Sequence, residues 1–121
     1  MNPLYLESLI PEDPSDAGDP LSLEINHFPS LVGRAPECDY RISNVLISRR
    51  HCCFFERDNQ LYVRDLGSRN GTHLNGRPVA DDTVVHEGDR LDIGYLPYRV
   101  RRAKRSRLSR ILEGARGTAS Y

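Results

Sequence analysis

The sequence has no Trp and a single Met, and its three Cys are an odd number. An odd count argues against a disulfide framework. Cys52 and Cys53 are adjacent, so on a strand their side chains leave opposite faces and a bond between them would be strained. All three read as reduced thiols, one filling core and the others half-exposed. Cys and His at metal-ligand spacing are missing, so no metal site is expected. No apolar run approaches the roughly 20 residues that cross a bilayer. A secretory signal's basic-then-apolar start is also lacking. These absences predict a cytoplasmic protein with no membrane partner.

Catalytic constellations are missing as well. His27, His51, His73 and His86 fall in separate segments, and no signature links one of them to an activated Ser or Cys. There is no Gly-rich loop ending in Lys-Ser/Thr for a nucleotide. The reading is a non-enzyme without a cofactor.

What is present fits one domain with a tail, since 121 residues is the size of a typical single core. The formal net charge is zero, but the average conceals an asymmetry. From Met1 to Glu24 the only charges are acids: Glu7, Glu12, Asp13, Asp16, Asp19 and Glu24. From Arg101 onward Arg and Lys dominate, with Glu113 the lone acid. Such blocks mark solvated termini or interaction tails. The basic tail reads as solvated, or neutralised by the acidic segment, so no nucleic-acid partner is expected.

Between the termini lie short strand signals separated by turn chemistry. Leu4 to Leu9 alternates, and Leu21, Leu23 and Ile25 recur with period two. The Pro, Asp and Gly of Pro11 to Pro20 make a loop between them. Further strands are predicted at Leu31-Val32, Tyr40 to Ile42, Cys52 to Glu56, Leu61 to Val63, Arg90 to Ile93 and Tyr98 to Arg101. Thr72 to Leu74 and Arg77 to Val79 flank Asn75-Gly76, a strong hairpin signal because both residues tolerate φ > 0. Many short strands without a helix mean a sandwich or barrel. Beyond them Leu108, Ile111, Leu112 and Ala115 form one helical stripe in the tail.

Three turns carry groups suited to an anion: Gly33-Arg34, Ser48 to His51, and Ser68 to Thr72. A guanidinium fork matches phosphate oxygens, and a hydroxyl and backbone N–H groups can complete a cage. Taken singly, each has a plainer reading, with Arg34 a solvated turn residue, Ser48 a local turn former and Asn70-Gly71 hairpin punctuation. Composition alone does not say that the loops converge.

In order, Gly33-Arg34, Ser48-Arg49-x-His51, Asp65-Leu66-Gly67-Ser68-Arg69-Asn70-Gly71-Thr72, Asn75-Gly76 and Gly88-Asp89 with Ile93-Gly94 resemble the forkhead-associated (FHA) domain family. The likeness covers roughly Leu4 to Arg101. It implies an all-β sandwich of two twisted, mainly antiparallel sheets over residues 1–101. A basic tail, 102–121, helical or disordered, would follow. It also implies a module that binds a phosphothreonine-containing protein or peptide downstream of a Ser/Thr protein kinase. By that resemblance Arg34 and Ser48 contact the phosphate, with Arg49 adding a further contact. Asn70 bonds the ligand backbone and Arg69 flanks it. Gly33, His51, Gly71, Asn75 and Gly76 support the binding loops. Some FHA-like domains act instead as phosphate-independent scaffolds. Those lack the phosphate-contacting residues, whereas Arg34, Ser48 and Asn70 are present here. The run Val45-Leu46-Ile47 reads either as strand or core, or as groove wall selecting an apolar residue C-terminal to the phosphothreonine.

Overall fold

A computed structural model describes residues 3–10 and 22–102. Among them eleven strands form two sheets. The first sheet takes β1 (Leu4–Ser8), β2 (Leu23–Ile25), β7 (Thr72–Leu74), β8 (Arg77–Pro78), β10 (Arg90–Ile93) and β11 (Leu96–Arg101), in the order β2-β1-β11-β10-β7-β8. The second takes β3 (Ser30–Gly33), β4 (Tyr40–Arg41), β5 (Cys52–Arg57), β6 (Gln60–Asp65) and β9 (Thr83–Val84), in the order β4-β3-β5-β6-β9. All pairs are antiparallel except β3 with β4.

Side-chain alternation sets which face is buried. In β5, Cys52 and Phe54 point into the core while Cys53 and Phe55 are half-exposed; in β11, Leu96, Tyr98 and Val100 are buried between outward Pro97, Arg99 and Arg101. Leu4, Leu6, Ile25, Val63, Leu91 and Ile93 complete the layer between the sheets. Burying each such side chain stabilises the fold by roughly 1.5–3 kcal/mol. The outer face of β5 and β6 stacks Phe55 on Tyr62 at 5.4 Å, with Arg57 4.6 Å from the Tyr62 ring centre. Pro78 sits on the edge strand β8, where its missing N–H interrupts no ladder.

Several expectations change. Two thiols rather than one are buried, Cys38 and Cys52, and Cys53 is half-exposed; burial pushes the Cys52 thiol well above its ordinary value. Arg102, the first residue of the segment read as a tail, donates its N–H to Glu87 Oε1 at 2.8 Å. The Pro11 to Pro20 loop and the helical stripe from Leu108 to Ala115 lie outside the described residues. Among the described residues, no helix is long and apolar enough to cross a membrane.

The topology gathers loops at one end. The end of β3, the start of β5, the end of β6, the start of β7 and the β10–β11 turn all meet there, because Val32 pairs with Cys52, Cys52 with Asp65, and Thr72 with Ile93. The hairpin turns at Asp58-Asn59 and Asn75-Gly76 lie at the opposite end.

Candidate functional site

At the loop end, the close approach of two backbones decides the geometry. A methyl group added to Gly33 would stand 2.2 Å from the Arg49 carbonyl oxygen and 2.9 Å from Cys38 Sγ. Only glycine admits the Ser48-Arg49 backbone so near. Gly33 therefore acts as a strand residue without a side chain rather than as a turn residue. The Arg34 N–H then donates to the Ser48 carbonyl at 2.9 Å and the Ala35 N–H to the Arg49 carbonyl at 3.0 Å. The Arg34 side chain adds a third tie, from Nε to the Ile47 carbonyl at 3.1 Å. That bond aims the guanidinium, and among the described residues its two terminal amino groups have no protein acceptor.

His51 is fully buried and joins two loops. The Ser48 N–H donates to Nδ1 at 3.1 Å, and Nε2 lies 2.9 Å from the Gly71 carbonyl oxygen. Together these contacts fix the neutral Nε2–H tautomer, with Nδ1 accepting and Nε2 donating. The Gly71 carbonyl also accepts from the Gly94 N–H at 3.0 Å. Burial pushes the imidazole below its ordinary value, against the opposing pull of the Gly71 carbonyl and the Asp65 carboxylate. A proton on Nδ1 would set two donors face to face.

The Asp65 carboxylate organises the third loop. It accepts from the Gly67 and Ser68 N–H groups, both at 3.0 Å. It also accepts from the Ser68 hydroxyl at 2.5 Å and the Thr72 hydroxyl at 2.7 Å. Burial works against ionisation here, but those hydroxyls and the Ser68 N–H outweigh it and hold the carboxyl below its ordinary value.

The two shifts predict a two-stage acid response. The unfolded chain protonates His near pH 6.5 and Asp near 3.9, and as the pH falls the folded domain takes up each of these protons later than the unfolded chain does. In each case the unfolded state binds more protons just below its own pKa, so stability falls as pH drops. Urea midpoints should be highest above about pH 6.5, decline below it through His51, and decline again below about pH 4 through Asp65. A midpoint unchanged between about pH 7.5 and 5.5 would contradict the His51 assignment.

Around these supports the expected ligand-contacting residues share one cleft. Arg34, Ser48, Arg49, Arg69 and Asn70 line a cavity of about 270 Å³ together with Val45, Leu46 and Ile47. Among the described residues, no carboxylate lines it. Ser48 Oγ accepts from the Arg69 N–H at 2.9 Å, which leaves its own proton to be donated. The Asn70 amide donates from Nδ2 to the Leu46 carbonyl at 2.9 Å, with Oδ1 and a second N–H to spare. Within the run Val45 to Ile47, Ile47 is core at 1% exposure and Val45, beside the cleft, stands 91% exposed.

Asn75 and Gly76 are not among the loop supports. They form the β7–β8 turn with φ of 51° and 83°, at the far end of β7. There the Asn75 side chain holds the preceding β10 turn, through Nδ2 to Asp89 Oδ1 at 3.1 Å and Oδ1 accepting the Arg90 N–H at 2.9 Å. Two motif residues carry roles the sequence leaves unassigned. Asp65 does so through the Asp-x-x-Ser spacing of a side-chain-bonded turn. Gly94 does so because a methyl there would meet the Leu46 carbonyl oxygen at 2.5 Å and His51 Cε1 at 3.0 Å.

The family model of the FHA domain matches residues 31–94. The chain belongs to the FHA domain family. Its members are binding modules, and the match spans the loops just described. Among similar curated proteins, the glycogen accumulation regulator GarA of Mycobacterium tuberculosis is 44% identical over 63 residues, covering 52% of this chain and 38% of that one. The oxoglutarate dehydrogenase inhibitor of Corynebacterium diphtheriae is 42% identical over 65 residues, covering 54% and 45%. The matched part of this FHA domain thus spans less than half the length of those relatives. Among solved structures, Mycobacterium tuberculosis EmbR in complex with a low-affinity phosphopeptide superposes with a TM-score of 0.71 at 17% identity, over 87% of this chain and 26% of that one. An FHA domain of a Chlamydia trachomatis protein gives 0.65 at 21% identity, over 86% and 99%. Both share the fold of this FHA domain.

Proposed function

We propose that this FHA domain binds a phosphothreonine-containing protein segment in the cleft between Arg34, Ser48 and Asn70, as an adaptor downstream of a Ser/Thr protein kinase inside the cell. The observation that carries the reading is the direction of unused donors. Arg34 lines the cleft with Nε taken by Ile47 and its terminal amino groups without a protein acceptor among the described residues, and Ser48 Oγ accepts from Arg69 and keeps its proton for a ligand. A phosphate dianion meets both requirements, and Arg49 at the rim adds a further cation. Asn70, already bonded across the cleft, offers its remaining amide groups to the peptide backbone, and Arg69 flanks it. His51 and Gly71 position the loops without touching the ligand.

The relatives named as a regulator and an inhibitor fit a domain that acts by binding. Dephosphorylation of the partner would reverse it. The exposed Val45 and Leu46 favour an apolar over an acidic residue C-terminal to the phosphothreonine.

Matched phosphothreonine, phosphoserine and unmodified peptides, drawn from one degenerate library, test the proposal. Phosphothreonine peptides should bind, unmodified ones should fall at least about a hundredfold below them, and phosphatase treatment should abolish capture. Equal binding of modified and unmodified peptides would return the domain to a phosphate-independent scaffold. Enrichment of Asp or Glu after the phosphothreonine would refute the role given to Val45 and Leu46.

A further inference from the structure

Isolated exposed apolar side chains are ordinary on a soluble protein, but their confinement to one place is informative. The large exposed hydrophobics of the described residues, Leu9, Ile10, Val45, Leu46, Leu66 and Tyr95, all lie at the loop end. Most of them are neighbours through the backbone. Val45 and Leu46 form the lip of the cleft. The Leu46 carbonyl abuts Gly94, and Tyr95, 64% exposed, follows it in the β10–β11 turn with φ of 71°. The Leu9 N–H donates to the Pro97 carbonyl at 2.9 Å, which sets Leu9 and Ile10 one strand beyond that turn.

We propose that the ligand is longer than the phosphothreonine and its immediate neighbours. Apolar side chains from the same partner segment, four or more residues from the phosphothreonine, cover Tyr95, Leu9 and Ile10. The inference rests on the phosphothreonine reading of the cleft and extends it. Continuity with the cleft argues for this occupant, since a segment anchored by its phosphate is held beside the strip at high effective concentration. The distances agree. Strands lie about 4.8 Å apart, so β10 to β1 spans about 10 Å, which an extended chain at about 3.3 Å per residue crosses in about three residues. The cation-rich cleft supplies dependence on phosphorylation, and the apolar strip discriminates among phosphorylated partners.

The test is a phosphothreonine-centred peptide library extended about eight residues to each side, applied to the whole chain and to the Tyr95→Ser and Ile10→Ser variants. Both positions are on the surface, where substitution changes stability little. Leu, Ile, Val, Phe or Met should be enriched at one or more positions four or more residues away. A selected peptide of about seventeen residues should bind about tenfold tighter than its core of about seven. Each variant should lose most of that gain while binding the short core as before. Absence of distal enrichment, or a length-dependent gain that survives both substitutions, overturns the inference. A Tyr95→Ser variant that turns a dimer into a monomer in sedimentation, with the gain intact, overturns it in favour of a second copy. A library that shows no selection for phosphothreonine defeats the underlying reading of the cleft, and the inference with it. Retained phosphothreonine selection without distal enrichment defeats the inference alone.

Discussion

Replacing Arg34 with Ala should lower affinity for a phosphothreonine peptide at least about a hundredfold while the thermal midpoint stays nearly constant. A hydrogen bond to a charged group contributes roughly 1.5–3 kcal/mol, and each 1.4 kcal/mol is about tenfold in affinity. Arg34 supplies a fork, so the loss passes two decades. Stability is spared because the ties that hold the loop are mainly backbone to backbone, Arg34 N–H to Ser48 and Ala35 N–H to Arg49, and survive the change. Arg34→Lys is the sharper variant. It keeps the charge, but one ammonium cannot donate to the Ile47 carbonyl, as Nε does, and also present a planar pair to the phosphate. Its affinity should fall at least about tenfold. Calorimetric titration of both variants with one peptide measures the effect, and wild-type affinity in Arg34→Ala would remove the phosphate from this cleft.

Replacing Gly33 with Ala should damage both fold and binding. The new methyl would stand 2.2 Å from the Arg49 carbonyl oxygen and 2.9 Å from its carbonyl carbon. The obstacle is backbone, which cannot rotate away as a side-chain tip can. Overpacking of this kind costs about 1–3 kcal/mol, which for a domain of this size lowers the thermal midpoint by roughly 5–20 °C. Relief requires the Ser48-Arg49 segment to move outward, and that segment carries the hydroxyl and N–H groups on which Arg69 and His51 depend. Affinity should therefore fall about tenfold or more even where the variant remains folded. A Gly33→Ala protein with unchanged midpoint and unchanged affinity would show that the loop accommodates the methyl group. The pair of variants separates a residue proposed to meet the ligand from one that makes room for its neighbours.

How far the sequence reveals this depends on whether the cause is local. Cys52 and Phe54 against Leu61 and Val63 announce their strands by alternation, and Asn75-Gly76 announces its hairpin by φ alone. Strand β9, Thr83–Val84, leaves no such trace. It is two residues long, half-buried, and exists because Tyr62 and Val63 offer it a ladder. The polar residues that line the cleft are legible as a family pattern, yet their convergence is not. It follows from the steric vacancy at Gly33 and from an imidazole that bonds Ser48 on one side and Gly71, 20 residues further along the chain from His51, on the other. Neither carries a periodicity. For the same reason Asn75 and Gly76 read as supports of the binding loops, when the strand between them and Gly71 places them at the other pole of the sandwich.

The cleft is held by the domain's own bonds: its walls are sewn by main-chain contacts and one buried ring. Little ordering entropy is then left to spend on association, and rigid-body capture is the natural course of the encounter. A receptor of this kind holds no memory of its own. It reports the covalent state of whatever it meets, so the timing of the signal belongs to the enzymes that write and erase the phosphate.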